Sequence, residues 1–472
     1  MLTQSLINNS QNHDEKLWEK NYHIIVEVLK QFNNCNWKPI KGSPEWNKFF
    51  KTSIRFCLDT SKHPFLLKIV ECLIKNFYQV DENDKVVALF FEMVISHSQF
   101  LTVFLGSSDL KKELVYLYFT LIQRCTDKMS VKHVPVLLAS YTASISFVDL
   151  EILKILTFYE KNGFKFNQYE PLVWGEAAVS HYSIKTQAGL SLWQQFNMTN
   201  VLDLLDSQKL ENSLKEFPIN RSFQEGKNCE NSFNSGNIYD PAFLLPLFSN
   251  LLSPGSIVFP LQFIYKGALA YTVRALSSNC ALIRGAASTV LSRFYNHLEL
   301  SQNLKQKLVW MHFINCIRFG IENLSVQPVS NIITLFLGKM TMELSQPLAE
   351  LHNPLQKFLL AKYYFTFNTI PEFFPLFHSS EVSFSKHKEW LLNVLKDGVK
   401  TNLDVKVMFY SMAFKALFCF FHSHLCNVEM KKLILEVLVK LLPIKNSIIL
   451  ISEYGLLNWI NSIQINLFPL IE

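Results

Sequence analysis

Glycine is scarce in this sequence: 14 occur in 472 residues, and no two lie closer together than Gly226 and Gly236. A loop that cradles phosphate needs clustered glycines so that the backbone can approach the ligand, and the Walker and dinucleotide fingerprints are accordingly missing. Cysteine is equally uninformative as chemistry. The nine cysteines are scattered, odd in number and without a CxxC pair, so they form neither a disulfide framework nor a zinc ribbon. They are expected as small buried hydrophobes in a reducing compartment. There is no HExxH helix and no GxSxG nucleophile elbow. Basic residues never run five in a row, and a net charge of +6 over this length does not by itself indicate nucleic-acid binding. The N-terminus, MLTQSLINNSQNHDEK, lacks the apolar core of a secretory signal.

A membrane span is also missing, although Pro241 to Tyr265 is uncharged over a sufficient length. Pro246, Pro254, Pro260, Gly255, Asn250 and Gln262 interrupt it, and lipid cannot satisfy a backbone broken that often. The segment reads as buried core. The uncharged stretch from Gly455 to Ile471 contains Asn458, Asn461, Ser462, Gln464 and Asn466 and reads as a terminal packing helix.

What is present is apolar bulk. Hydrophobic residues make up 49 % of the chain, charged residues 18 %, and 40 residues are Phe, a composition that fills a large core and argues against disorder. Almost every segment reads as helix. Ser43-Pro44-Glu45 is a start signal and Lys161-Asn162-Gly163 a stop. Among the expected helices are Glu45–Leu58, Val134–Ser144, Ile257–Ala275, Cys280–Leu298, Val405–Ser423 and Ser447–Ile463. From Leu282 an apolar stripe is expected through Ala286, Ala287, Val290, Leu291, Phe294, Tyr295 and Leu298. No fixed repeat length emerges, and irregular helical pairs of about 35 to 50 residues fit the armadillo/HEAT style. The predicted fold is therefore all-α, an irregular armadillo/HEAT-like α-solenoid built as a superhelix of helical pairs. The polar segment Asn220–Ile238 is expected as a loop or linker, separating helical-repeat segments at residues 1–219 and 239–472.

Few residues invite a chemical reading. On a helix His422 and Cys426 share a face while His424 points elsewhere, so two ligands converge where a zinc site needs four. A helix end with solvent-facing histidines is expected. Asp81 with Glu82, and Asp149 with Glu151, read as solvated helix starts. Trp174, Trp193, Trp310, Trp390 and Trp459 lie in apolar contexts and are expected between helices rather than stacked on bases. Lys111-Lys112, Lys386-His387-Lys388 and Lys431-Lys432 read as solvated faces, with phosphate contact as the alternative. No catalytic, cofactor-binding or metal-ligating residue is assigned, and an enzyme is not expected.

Several blocks nevertheless carry a resemblance. They are Tyr239-Asp240-Pro241, Phe243-Leu244-Leu245, Leu247-Phe248-Ser249, Ala275-Leu276-Ser277-Ser278, Arg284-Gly285-Ala286-Ala287 and Tyr295-Asn296-His297-Leu298-Glu299. Others follow in order from Met93-Val94 through Trp174-Gly175, Ser191-Leu192-Trp193 and Glu389-Trp390 to Trp459-Ile460. In these the sequence resembles the C-terminal region of the nucleolar pre-ribosomal-associated protein 1 family, scaffold proteins much longer than this chain. The expectation is thus a C-terminal part, whether as a fragment or as a short member. The resemblance implies a non-catalytic nucleolar scaffold in early large (60S) subunit assembly and pre-rRNA processing. It implies assembly factors with a DEAD-box RNA helicase as partners and pre-rRNA as a further candidate ligand. It implies no cofactor, small-molecule substrate or membrane. The competing class is a helical-repeat transport or trafficking adaptor, although importins are usually distinctly acidic and this chain is not.

Overall fold

The computed structural model describes residues 15–31, 43–80, 82–169, 172–188, 198–223, 235–256, 258–301, 306–321, 327–378 and 384–467. Among them there are α-helices and short 3-10 turns but no strand. The chain divides into two compact units, the first of residues 1–195 with 234–236, the second of residues 196–233 with 237–472. Helix Ser207–Lys215, upstream of the expected linker, thus lies in the second unit; residues 224–234 of that linker are outside the described residues.

The first unit contains α1 (Glu15–Gln31), α2 (Pro44–Thr60), α3 (Pro64–Phe77), α4 (Lys85–Ile95), α5 (Phe100–Leu105) and α6 (Asp109–Arg124). It continues with α7 (Val134–Ser140), α8 (Phe147–Lys161) and α9 (Gly175–Ala188). Short polar side chains start these helices by accepting first-turn N–H groups that have no intrahelical partner. Ser43 takes the N–H of Trp46 at 3.2 Å, and Asp84 that of Val86 at 2.8 Å. Helices α1, α3, α6 and α8 pack in succession. Aromatic rings fill the space beside them: Phe50 stacks on Phe90 at 3.8 Å, and the Trp46 indole N–H donates to the Tyr78 hydroxyl at 3.1 Å.

The second unit contains α10 (Met198–Asp203), α11 (Ser207–Lys215), α12 (Pro241–Leu251), α13 (Pro260–Tyr265), α14 (Ala268–Arg274), α15 (Ala281–Leu300), α16 (Lys307–Ile321) and α17 (Asn331–Ser345). Then come α18 (His352–Leu360), α19 (Phe373–Phe377), α20 (Phe384–Gly398), α21 (Asn402–Tyr410), α22 (Ala413–Phe421), α23 (Val428–Leu441), α24 (Ile449–Ser452) and α25 (Leu456–Leu467). Four of them, α14, α17, α20 and α23, pack one on the next, and the intervening helices of the chain lie between consecutive members. This is the solenoid principle: each helix buries its apolar stripe only against its neighbours. With each large buried side chain worth about 1.5–3 kcal/mol, such a row needs no cofactor to hold it.

Close approach sets the row's geometry. A Cβ at Gly398, the end of α20, would fall 2.8 Å from the Cα of Ile332 in α17. Only glycine allows that backbone contact.

Four expected elements are corrected. The apolar run 257–275 is two helices, α13 and α14, because Gly267 at φ 74° turns the chain and a Cβ there would meet Leu210 at 2.3 Å. The run 405–423 breaks at Met412, which adopts φ 51°. The run 447–463 is likewise interrupted, at Gly455. Helix α7 stops at Ser140, short of Ser144. On α15 the buried stripe is Ile283, Ala287, Val290, Leu291, Phe294 and Leu298, whereas Leu282 is 54 % exposed. No helix among the described residues is long and apolar enough to cross a membrane.

Candidate functional site: a polar cleft along one helix of the row

A buried polar relay joins α11, α14, α17 and α21. Arg274, at the end of α14, is wholly shielded from solvent. Its guanidinium donates to the carbonyl of Leu214 at 2.9 Å, to Ser277 Oγ and Thr334 Oγ at 2.8 Å, and to Asn331 Oδ1 at 3.1 Å. The Asn331 amide then donates to the carboxylate of Asp404 at 3.2 Å. Asp404, also fully buried, accepts in addition the backbone N–H groups of Asn331 and Thr401, both at 2.7 Å, and the Ser330 hydroxyl at 2.7 Å. One carboxylate therefore caps both α17 and α21 and meets the positive end of each helix. Burial lowers the Arg274 guanidinium to about 10, opposed by the negative charges of Asp404 and Asp397.

Lys400 completes the relay. Its backbone N–H donates to Asp404 at 3.1 Å, and its ammonium reaches the Phe217 carbonyl at 3.2 Å. Burial, reinforced by the Arg274 charge, lowers this ammonium to about 7. Between that value and the ordinary lysine value of about 10.4, the unfolded chain holds the proton and the folded chain does not. Folding stability therefore climbs with pH across this window. Thermal melts from pH 7 to about pH 9.5 are expected to show a rising Tm in the parent and a smaller rise in Lys400→Met; parallel curves would refute the assignment.

The outward face of α20 lines a cleft. Its stripe is Lys386, Glu389, Trp390, Asn393, Lys396 and Asp397, spaced to keep one side of a helix. Three adjoining hollows of about 490, 350 and 540 Å³ share these residues, so the cleft is continuous along the helix. The opposite side of α20 carries Leu391, Leu392, Val394 and Leu395 into the core. One wall is α17 with Lys339 and Glu343; the other is α23 with Leu435 and Val439.

Most charges in the cleft are tied to each other. Asp397 pairs with Lys339 at 3.4 Å and Lys440 at 3.9 Å, Lys396 with Glu436 at 3.4 Å, and Lys386 with Glu350 at 2.5 Å. Glu343 is held above the usual carboxylate range by burial, partly offset by the Trp390 indole and Lys339. Trp390 itself packs at 78° against Phe336, ring centroids 5.3 Å apart.

The other residues singled out in the sequence fall into place individually. His422 and His424 are exposed and Cys426 is buried, and no group of three or more His, Cys, Asp or Glu that could hold a metal ion is found among the described residues. Cys57, Cys125 and Cys316 are buried, but Cys419 is exposed. Trp174 and Trp310 are in the core and Trp390 and Trp459 are half-buried, while Trp193 lies outside the described residues.

Two of the solvated readings are overturned. Asp149 is 2 % exposed because the loop before α8 folds over it, donating from Thr142 N at 3.1 Å, Ser144 N at 2.9 Å and both hydroxyls. Glu151 is buried and pairs with Lys154 at 2.9 Å, whereas Glu82 is exposed; Asp81 is outside the described residues. Lys111 is buried with its ammonium on the Ser140 carbonyl at 3.0 Å, and Lys388 is buried with its ammonium 5.1 Å from the Phe420 ring. His387 is buried as well, while Lys112, Lys386 and Lys432 remain exposed. A broad hollow of about 1030 Å³ in the first unit includes Lys111 and Asp149, whose polar atoms are thus already engaged inside the fold.

The class this architecture defines is an all-α helical solenoid, whose ionisable clusters join helices and whose row of helices presents a polar cleft. Residues 269–459, which hold Arg274, Asn331, Asp404, Lys400 and all of α20, carry the domain of the family described as Nucleolar pre-ribosomal-associated protein 1. The chain is 30 % identical over 435 residues to the human protein of that name and 29 % identical over 437 residues to the mouse protein. Each alignment covers 88 % of this chain and 19 % of the relative, so the chain spans about a fifth of the length of these relatives. No solved structure matches it.

Proposed function

We propose that the chain is a non-catalytic scaffold module of nucleolar ribosome biogenesis. In this reading it holds assembly factors, a DEAD-box RNA helicase among them, on early precursors of the large (60S) subunit while their pre-rRNA is processed. The observation that carries the reading is the similarity, over 88 % of the chain, to proteins named as nucleolar and pre-ribosomal-associated. The architecture supports it. Stacked helices present large surfaces without requiring any one residue to do chemistry. The buried Asp404, Arg274 and Asp149 have their hydrogen bonds inside the fold, where they fix helices rather than face a substrate.

The test is affinity purification of the tagged chain from nuclear extract, with sequencing of bound RNA and identification of bound protein. Co-enrichment of large-subunit pre-rRNA and assembly factors is the expected result. Recovery of the chain with transport receptors and without pre-rRNA would overturn the proposal in favour of an adaptor.

A further inference from the structure

We propose that the cleft along α20, centred on Trp390 and Asn393, docks an extended basic segment of a partner protein. The inference deepens the scaffold reading by naming a surface and the chemistry of its occupant. Three observations lead to it: the length of the cleft, the groups left free in it, and the balance of its charge.

Length comes first. From Lys386 to Lys396 the stripe covers ten residues of helix, about 15 Å at 1.5 Å per residue. An extended chain rises about 3.3 Å per residue, so the cleft matches four or five residues of an extended peptide. Exposed apolar side chains, Leu435 and Val439, line its Asp397 end. These suit alternate apolar side chains of such a segment.

The free groups specify its chemistry. The Asn393 side chain makes no hydrogen bond among the described residues and lines two of the three hollows. A side-chain amide offers a donor and an acceptor together, which is the complement of a peptide unit. In the hollow beside Trp390 the charged residues are Glu343, Glu350, Glu389 and Lys386. Lys386 is engaged by Glu350 at 2.5 Å. Glu343 and Glu389 are in no ion pair among the described residues. The Glu389 carboxylate beside an indole favours a cation, with the ring attracting it through its quadrupole and the carboxylate through charge. A Lys or Arg stem lying along the tryptophan would also bury its methylenes.

Charge balance then separates a protein from RNA. Over the whole cleft six lysines face six carboxylates, and most are paired. A track for phosphates needs uncompensated positive charge, because counterion release supplies the affinity. In the hollow beside Trp390 three carboxylates face one lysine, so the local surplus is negative, whereas at the Val439 end three lysines face two carboxylates.

The test uses the full chain and fluorescence anisotropy at 150 mM salt. The probe is a fluorescein-labelled octapeptide with Lys at alternate positions and Ala and Leu between. Its controls are the same peptide with Glu for Lys and a labelled uridine octanucleotide. The Lys peptide is expected to bind, and Glu389→Gln, Asn393→Ala and Trp390→Ala are each expected to weaken it by about fivefold to tenfold, the scale of a lost cation–π or charge-assisted contact. Glu389→Gln keeps the side-chain shape and so separates recognition from folding; a melt identical to the parent's checks this. No binding of the Lys peptide, equal binding of the Glu peptide, or displacement of the Lys peptide by the oligonucleotide would overturn the proposal. So would full binding by Glu389→Gln and Trp390→Ala. None of these outcomes depends on pre-rRNA recovery, so the two proposals can fail separately.

Discussion

Asp404→Ala is expected to lower the stability of the second unit by about 3–5 kcal/mol, the range found when one partner of a buried charged network is removed. The reason is the number of groups that lose their acceptor together. The backbone N–H groups of Asn331, Lys400 and Thr401 and the hydroxyls of Ser330 and Thr401 all point at this one carboxylate. Each buried donor left unsatisfied costs about 1–3 kcal/mol, and partial rearrangement keeps the total below the sum. Asp404→Asn should fall between parent and alanine variant, since its one carbonyl oxygen replaces only part of what two carboxylate oxygens accept. Because the chain has two units, a global unfolding midpoint does not say which helices are affected. Hydrogen exchange at the N-termini of α17 and α21 is the sharper readout. Parent-like protection in both helices would show that the double cap contributes little.

Arg274→Met is expected to have an effect of similar size, but at another place. The guanidinium has no carboxylate in direct contact among the described residues; its partners are neutral oxygens on α11, on the 3-10 turn after α14 and on α17. Methionine fills some of the volume but leaves the Leu214 carbonyl and the Thr334 hydroxyl with one fewer donor. We expect a loss of about 3 kcal/mol or more, because hydrogen bonds to a charged group are worth about 1.5–3 kcal/mol each. Relief of the buried charge offsets part of this. Arg274→Lys should not restore stability, since a single ammonium cannot reproduce the planar fork that reaches Leu214 and Thr334 at once. Increased exchange or protease cutting at α11, with α21 unchanged, distinguishes this variant from Asp404→Ala. Unchanged protection of α11 would refute the argument.

The fold class was readable because its signals are local. Ser43-Pro44 announces a helix start that the structure places where the sequence does, and the density of large apolar residues leaves few alternatives to stacked helices. The misread elements have non-local causes. Gly267 sits inside an apolar run that suits a continuous helix, and it is the side chain of Leu210, 57 residues earlier, that shows how closely the backbone must pass. Met412 in the left-handed region has no sequence mark at all, since non-glycine residues rarely adopt that conformation. Leu282 and Ile283 suit an apolar stripe equally well, and only the angle of the neighbouring helices selects the second.

The same distinction holds for the site. Asp404 near the start of a helix looks like an ordinary first-turn carboxylate, and its partner Asn331 is 73 residues away. Arg274 did leave a trace: it is the one charged residue within GALAYTVRALSS, and a lone cation in such a run has to find internal acceptors. The apolar sequence context of Trp390 marks it as core. That reading covers its contact with Phe336 and misses the cleft around it, because the exposed stripe of α20 is defined jointly with α17 and α23.

The family match begins at residue 269, yet two of the cations inside it depend on what comes before. Arg274 is held by the carbonyl of Leu214 and Lys400 by that of Phe217. A piece cut at the edge of the matched region would keep both cations and lose the oxygens that receive them. The cooperative unit of this protein is thus longer than its recognisable signature, and a minimal autonomous version has to reach back through α11.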